Sequence, residues 1–95
     1  MSESKIVLHA TAEGGRYAIE TPHGRAELDY EVNADGDVVI IHTYSPPAAR
    51  GRGLARQLVE RAVADAREKG VKVAPECSYA ARLFSERADW ASLRA

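Results

Sequence analysis

The chain has 95 residues, of which 45% are apolar and 28% are charged, and its formal net charge is −1. This composition is typical of a soluble folded protein, so we expect one domain over residues 1–95 with a single modest core. No apolar run approaches the roughly 20 residues that cross a bilayer, and one cysteine cannot form an internal disulfide. We therefore expect a cytoplasmic protein with no membrane partner. The weak net charge and few aromatic residues argue against nucleic acid as a partner.

Three segments in the first half of the sequence are predicted to be strands, because apolar residues cluster or alternate in each. They span residues 5–9, 16–21 and 25–33, with a loop over residues 10–15. The turn at residues 34–37 favours a hairpin, which pairs the third strand antiparallel with a fourth over residues 38–44. The expected arrangement is an antiparallel meander.

The second half of the sequence predicts two helices and one short strand. Apolar residues recur at helical spacing from about residue 52 to residue 69, and Gly70 provides a helix stop. Residues 71–74 are predicted to return as a strand parallel to the fourth, because such a strand–helix–strand unit favours a right-handed crossover. Ser78 is expected to cap a second helix over about residues 79–87. The predicted fold class is α+β, a mostly antiparallel sheet with one parallel strand pair and two helices.

The turn between the fourth strand and the first helix has the features of a phosphate-binding site. The first turn of a helix leaves backbone N–H groups unpaired, and the helix dipole adds partial positive charge there. Two glycines without Cβ atoms allow a phosphate to approach the backbone, and three arginines add positive charge. The candidate residues are Arg50, Gly51, Arg52, Gly53, Leu54, Ala55 and Arg56. Their spacing matches neither a Walker loop nor a dinucleotide-binding fingerprint.

The pattern Arg50-x-x-Gly53-x-Ala55 resembles the Gln/Arg-x-x-Gly-x-Gly/Ala signature of the GCN5-related N-acetyltransferase (GNAT) superfamily. Two further motifs occur in the same order in a small single-domain group of that family, namely His42-Thr43-Tyr44-x-Pro46 and Pro75-x-Cys77-Ser78-Tyr79. The resemblance covers about residues 5–93. It implies a minimal GNAT-like fold, without the N-terminal helices and last two strands of larger members, and acetyl-coenzyme A (acetyl-CoA) as co-substrate.

The resemblance also implies roles for individual residues. The fourth and fifth strands would splay apart around coenzyme A, and the backbone of Thr43, Tyr44 and Ser45 would pair with its pantetheine arm. The turn over residues 50–56 would hold the pyrophosphate. Cys77 would lie at the opposite lip of the splay, close to the thioester.

Three side chains are candidates for catalysis of acetyl transfer, and each has a structural alternative. In direct transfer, His42 or a carboxylate would deprotonate the amine, whereas in a covalent route Cys77 would first carry the acetyl group. Tyr79 could donate a proton to the leaving thiolate. Alternatively, Cys77 packs as a small apolar residue, Tyr79 is a core aromatic residue, and His42 is a core histidine in phase with Val38 and Ile40.

Two functions of different classes remain open. One is an N-acetyltransferase that modifies a small amine or a protein amine, and the other is a non-catalytic module that binds or senses acyl-CoA or acts as a scaffold. Residues 1–49 carry eight acidic groups against three basic ones, which could attract a cationic amine, although such charges are usually only solvated. No residue spacing suggests a metal site. We expect a monomer or a weak dimer.

Overall fold

The computed structural model describes residues 5–95, which form one five-stranded sheet and two α-helices. In chain order the elements are β1 (Ile6–Thr11), β2 (Gly14–Thr21), β3 (Gly24–Val32), β4 (Val38–Tyr44), α1 (Leu54–Lys69), β5 (Val73–Pro75) and α2 (Ser78–Glu86), with 3-10 helices at Pro47–Ala49 and Ala88–Leu93. The strand order in the sheet follows the chain order. Strands β1 to β4 are antiparallel neighbours, and β5 runs parallel to β4. The predicted α+β class, with one parallel strand pair, is confirmed.

The hydrophobic core lies between one face of the sheet and the helices. In β3, Ala26, Leu28 and Tyr30 are buried, while the residues between them point to the other face. Helix α1 packs its apolar stripe against this face through Leu54, Leu58, Val59, Ala62, Val63 and Ala66. The chain after β5 extends the same cluster through Ala80, Leu83, Phe84 and Trp90. Within residues 5–95 no helix covers the opposite face, which we call the open face.

The strand boundaries differ from the prediction by two residues in two regions, the β1–β2 connection and the start of β5. Most of the predicted loop over residues 10–15 belongs to strands, because β1 and β2 are joined by a two-residue turn between the paired Thr11 and Gly14. Strand β5 begins at Val73 instead of Val71. The reason is that the Val71 N–H donates to the Ala66 carbonyl at 3.0 Å and so belongs to the end of α1.

Glycines in the left-handed conformation mark both ends of α1. The helix begins at Leu54, two residues later than predicted, because Gly53 has a φ of 72° and lies outside the helix. It ends at Lys69 as predicted, where Gly70 has a φ of 75°. Neither α1 nor any other helix within residues 5–95 is long and apolar enough to span a membrane.

Cys77, and not Ser78, is the N-cap of α2. Cys77 has an extended backbone, with φ −83° and ψ 146°, whereas Ser78 is already the first residue of the helix. The Ala80 N–H donates to Cys77 Sγ at 3.3 Å, which satisfies one of the unpaired donors of the first turn.

A β-bulge in β4 changes the face to which the end of the strand points. Consecutive residues of β3 pair with Ile40 and His42, so Ile41 is an extra residue in β4. The bulge shifts the alternation by one position. Thr43 therefore pairs with a buried residue of β3, and His42 is exposed on the open face. The expectation that His42 points into the core on the same face as Ile40 is therefore wrong.

Candidate functional site

Strands β4 and β5 separate after three paired positions. Their ladder ends where the N–H groups of Glu76 and Cys77 both donate to the Ile40 carbonyl, at 2.9 and 3.0 Å. Strand β4 continues to Tyr44, while the other chain segment turns at Cys77 into α2. The predicted splay of this strand pair is therefore present. It leaves the end of β4 without a strand partner on this side, so its backbone groups are free to bind another extended chain.

The turn after β4 leads into the N-terminus of α1 without any side-chain cap. The first hydrogen bond of the helix runs from the Gln57 N–H to the Gly53 carbonyl, at 3.0 Å, so the amides of residues 54–56 have no partner within the helix. Gly51 and Gly53 have φ values of 86° and 72°, and a Cβ added at either would meet no atom within 4 Å. The backbone of this turn is open to a ligand.

Three arginines surround the turn. The Arg50 guanidinium folds back, and its Nε donates to the Ser45 carbonyl at 3.3 Å, which ties the turn to the end of β4. Arg52 and Arg56 are exposed, and none of the ion pairs formed within residues 5–95 involves any of the three. Positive charge without carboxylate partners, next to free amides at a helix start, favours a polyanionic ligand such as a diphosphate.

A cavity of about 490 Å³ connects the turn to the splay. Its lining consists of Thr43, Ser45, Arg50, Gly51, Gly53, Leu54, Ala55 and Tyr79. The structure thus brings seven of the predicted cofactor-binding residues together with one predicted catalytic residue. The volume lies in the range of small-molecule sites, which are partly apolar clefts with a few polar groups.

Five predicted site residues lie outside this lining: Cys77, which is described below, and His42, Tyr44, Arg52 and Arg56. His42 and Tyr44 are exposed on the open face, because the bulge turns them away from the core side. Arg52 and Arg56 are exposed; Arg52 lies between the two glycines of the turn and Arg56 in the first turn of α1.

Cys77 lies at the narrow end of the gap between β4 and α2. It is half-buried, and its Sγ is 3.8 Å from Thr43 Oγ1 across the gap. The same sulfur caps α2. Cys77 therefore adjoins the cavity through Thr43 rather than lining it.

Two features of the site could not be found by sequence reasoning. A Cβ on Gly24 would approach Pro46 Cγ to 3.0 Å, so the β2–β3 turn packs against the start of the segment over residues 46–56, which we call the anion turn. The Arg82 guanidinium lies 5.6 Å from the centre of the Tyr79 ring and places a further cation near the cavity. In the sequence, Gly24 indicates only a local turn and Arg82 only a solvated helix face.

The uncapped helix start after a glycine-containing turn and the splayed parallel strands together form one cleft that can accept an extended anionic ligand. The family model described as GCN5-related N-acetyl-transferase matches residues 16–93, from β2 to the last 3-10 helix. The chain belongs to this family. Its five-stranded sheet and two helices form a minimal version of the family fold, and the resemblance inferred from the motifs is confirmed.

Proposed function

We propose that this protein is an N-acetyltransferase that transfers the acetyl group of acetyl-CoA to an amine. The observation that carries the proposal is the cavity of about 490 Å³ between the unpaired end of β4 and the uncapped start of α1. The family match supports the reaction class. We also propose a cytoplasmic location, because the single cysteine is a free thiol.

The proposed binding mode assigns each part of the co-substrate to a part of the cavity. The free amides of residues 54–56, together with Arg50 and Arg52, bind the pyrophosphate. The pantetheine arm binds along the backbone edge at Thr43, Tyr44 and Ser45, in the way that an added strand would bind. The thioester then lies at the narrow end of the gap, near Thr43 and Cys77.

The proposed chemistry is direct transfer. His42 accepts a proton from the amine as its nitrogen bonds to the thioester carbonyl carbon, and the carbon–sulfur bond then breaks. Tyr79, which lines the cavity, donates a proton to the leaving thiolate. In the covalent alternative, Cys77 Sγ takes the acetyl group first, releases coenzyme A and passes the group to the amine.

Two observations favour the second function, a module that binds acyl-CoA without turnover. His42 lies on the open face, outside the cavity lining, and the sulfur of Cys77 already caps a helix. The two functions share the binding site and differ only in whether an amine is acetylated.

Calorimetric titration of acetyl-CoA at fixed salt tests the binding site. The double variant Arg50→Ala/Arg52→Ala loses two charge-assisted phosphate contacts, so we expect its dissociation constant to rise about tenfold or more. The matched control is Lys69→Ala/Arg94→Ala, which removes the same charge at the opposite end of α1 and near the C-terminus. If wild type binds neither acetyl-CoA nor coenzyme A, the proposal is wrong.

Product analysis then separates the mechanisms. After incubation with acetyl-CoA alone, an acetyl adduct on the wild type that is absent from Cys77→Ser would support the covalent route. An acetylated amine without any protein adduct supports direct transfer. Tight binding with no acetylated amine from any acceptor supports the non-catalytic module.

A further inference from the structure

A second cavity, of about 250 Å³, lies at the other end of the sheet. Its walls come from the β1–β2 turn, the β3–β4 turn and the second half of α1, so it shares no residue with the cavity at the start of that helix. We call it the tyrosine cavity, because Tyr17 and Tyr30 both line it. Leu54 and Asp65, which line one cavity each, are separated by about three turns of α1.

The carboxylate in the tyrosine cavity already has partners. The Tyr17 hydroxyl donates to Asp65 Oδ2 at 2.6 Å, and Arg61 Nε lies 3.2 Å from both oxygens of the same carboxylate. Arg61 and Asp65 form an ion pair one helical turn apart, which compensates the negative charge. Asp65 is therefore a fixed part of the wall rather than a free anion.

The Tyr30 hydroxyl, in contrast, has no hydrogen-bond partner among residues 5–95, although Tyr30 is only 7% exposed. No side-chain polar atom in this part of the chain is both sealed from solvent and unpaired, so the hydroxyl is reached through the cavity that Tyr30 lines. Buried polar groups are nearly always hydrogen-bonded. The partner of this phenol is therefore a molecule inside the cavity.

The fold holds the Tyr30 phenol in place and keeps it protonated. Its ring lies 5.6 Å from the Tyr17 ring, centre to centre. Gly15 pairs with Tyr30 across the strands, and a Cβ there would lie 2.8 Å from the hydroxyl oxygen, so only glycine leaves room for it. Burial, followed by the negative charge of Asp65, raises the pKa of Tyr30, so the hydroxyl remains available as a donor.

An uncompensated cation lies at the rim of the tyrosine cavity. Lys69 lines the cavity and is exposed. Within residues 5–95 it forms no ion pair, although Asp65 is one helical turn away, because Asp65 turns toward Tyr17 and Arg61 instead. Apart from these polar groups the lining consists mainly of alanine and valine. The cavity therefore combines apolar walls with one free phenol donor and one free positive charge.

Size and charge together define the ligand. An apolar cavity of about 150 Å³ is large enough for benzene, so a cavity of about 250 Å³ holds one ring or one branched chain with a short substituent. A carboxylate both accepts from a phenol and pairs with an ammonium group, and such charge-assisted hydrogen bonds are strong. An amine fits less well, because Asp65 is already paired and Lys69 would repel a second cation.

We propose that the tyrosine cavity is a second ligand site, distinct from the cavity assigned to acetyl-CoA, and that it binds a small apolar carboxylic acid. The ring or branched chain of the acid packs against Tyr17 and Tyr30. Its carboxylate accepts a hydrogen bond from the Tyr30 hydroxyl and pairs with the Lys69 ammonium group. The site does not depend on whether the protein acetylates an amine.

Titration of the ¹⁵N-labelled protein with phenylacetate and 4-methylpentanoate, followed by amide NMR signals, tests the proposal. We expect both acids to shift the signals of Ala12, Val32 and Ala62 more than those of Gly51 and Gly53. Two molecules of similar size, 2-phenylethylamine and 2-phenylethanol, should bind at least about fivefold more weakly than phenylacetate. The proposal is wrong if neither acid shifts the first three signals at millimolar concentration, if the anion turn shifts more, or if the amine binds as tightly as phenylacetate.

Tyr30→Phe tests the phenol contact. It removes a hydroxyl that bonds no residue of the described chain, so the variant should stay folded while the dissociation constant of phenylacetate rises about fivefold or more. Tyr44→Phe is the control, because it removes an exposed hydroxyl on the open face. Unchanged affinity in Tyr30→Phe would contradict the assignment of the carboxylate to this hydroxyl.

Lys69→Met tests the contribution of the free positive charge. It should weaken binding of phenylacetate several-fold without changing that of 2-phenylethanol, which carries no charge for Lys69 to bind. Lys5→Met removes the same charge from an exposed residue before β1, at the end of that strand remote from the cavity, and should leave both affinities unchanged. If the two variants weaken phenylacetate binding equally, the effect is one of net charge and the proposed ion pair is wrong.

Discussion

Thr43 Oγ1 and Cys77 Sγ lie 3.8 Å apart, although the two residues are separated by 34 positions in the sequence. The contact crosses the gap that opens where β5 leaves β4. Because Cys77 Sγ also accepts the Ala80 N–H at 3.3 Å, one sulfur atom connects the edge of β4 to the start of α2. A substitution at Cys77 therefore changes a helix cap and a wall of the candidate site together.

We expect Cys77→Ala to be less stable than Cys77→Ser. Alanine has no acceptor for the Ala80 N–H, and loss of an N-cap acceptor typically lowers the free energy of unfolding by about 1 kcal/mol. Serine keeps an acceptor at the same position. Urea denaturation followed by the fluorescence of Trp90, which is only 3% exposed, measures the difference. Equal stability of the two variants would show that a side-chain acceptor at this N-cap position contributes nothing.

The same two variants distinguish the role of Cys77 as a helix cap from a covalent role in acetyl transfer. In direct transfer Cys77→Ser keeps most of the wild-type rate of amine acetylation, whereas in the covalent route both variants are inactive. The rate of each variant is measured below its own unfolding transition, so that a loss of stability is not counted as a loss of activity.

The sequence predicted the elements of the fold but not how β4 ends. Alternation of apolar residues identified β3, and the glycine and helical spacing identified α1. The bulge at Ile41 has no local signal, because it depends on how β3 and β4 pair over several positions. That single extra residue exposes His42 and returns Thr43 to the core side.

The candidate site was predictable only where its residues are contiguous in the sequence. The anion turn is contiguous in the sequence, so spacing alone identified its glycines and arginines. The contacts between Thr43 and Cys77, and between Gly24 and Pro46, join segments that are distant in the sequence. The N-cap of α2 was placed one residue late, because serine is the more usual capping residue and cysteine is a weaker acceptor.

Gly53 and Gly70 provide a matched pair for testing the anion turn. They flank α1 with nearly the same backbone conformation, φ 72° and ψ 22° at Gly53 and φ 75° and ψ 24° at Gly70, and neither has an atom within 4 Å of an added Cβ. Alanine at either position must adopt a left-handed conformation, which costs about 1–2 kcal/mol. We therefore expect Gly53→Ala and Gly70→Ala to lose similar stability.

Only Gly53→Ala is expected to weaken binding of acetyl-CoA. Its methyl group projects from a residue that lines the cavity, where the phosphate must approach the backbone. Calorimetry at a temperature where both variants are folded gives the two dissociation constants. An equal change in both, or no change in Gly53→Ala, would contradict the assignment of this turn to the pyrophosphate.

The stability of the fold is expected to fall at alkaline pH through Tyr17. Tyr17 is 4% exposed and its hydroxyl donates to Asp65 Oδ2 at 2.6 Å; burial, followed by this hydrogen bond, raises the pKa of Tyr17 above its usual value. An unfolded tyrosine loses its proton near pH 10, whereas folded Tyr17 retains it. Above about pH 10 the unfolded state therefore binds fewer protons, and the free energy of unfolding decreases as the pH rises, by up to about 1.4 kcal/mol per pH unit.

Tyr17→Phe should remove this part of the pH dependence. At neutral pH the variant also loses the hydrogen bond to Asp65, which lowers its stability by about 1–2 kcal/mol. The Asp65 carboxylate still has a partner in the variant, because Arg61 Nε lies 3.2 Å from it. Urea denaturation at a series of pH values from 7 to about 11 gives both effects. Tyr44→Phe is the control, because the Tyr44 side chain is exposed on the open face. The difference in stability between wild type and Tyr17→Phe should shrink above about pH 10; a difference that stays constant would mean that the buried phenol does not control alkaline unfolding.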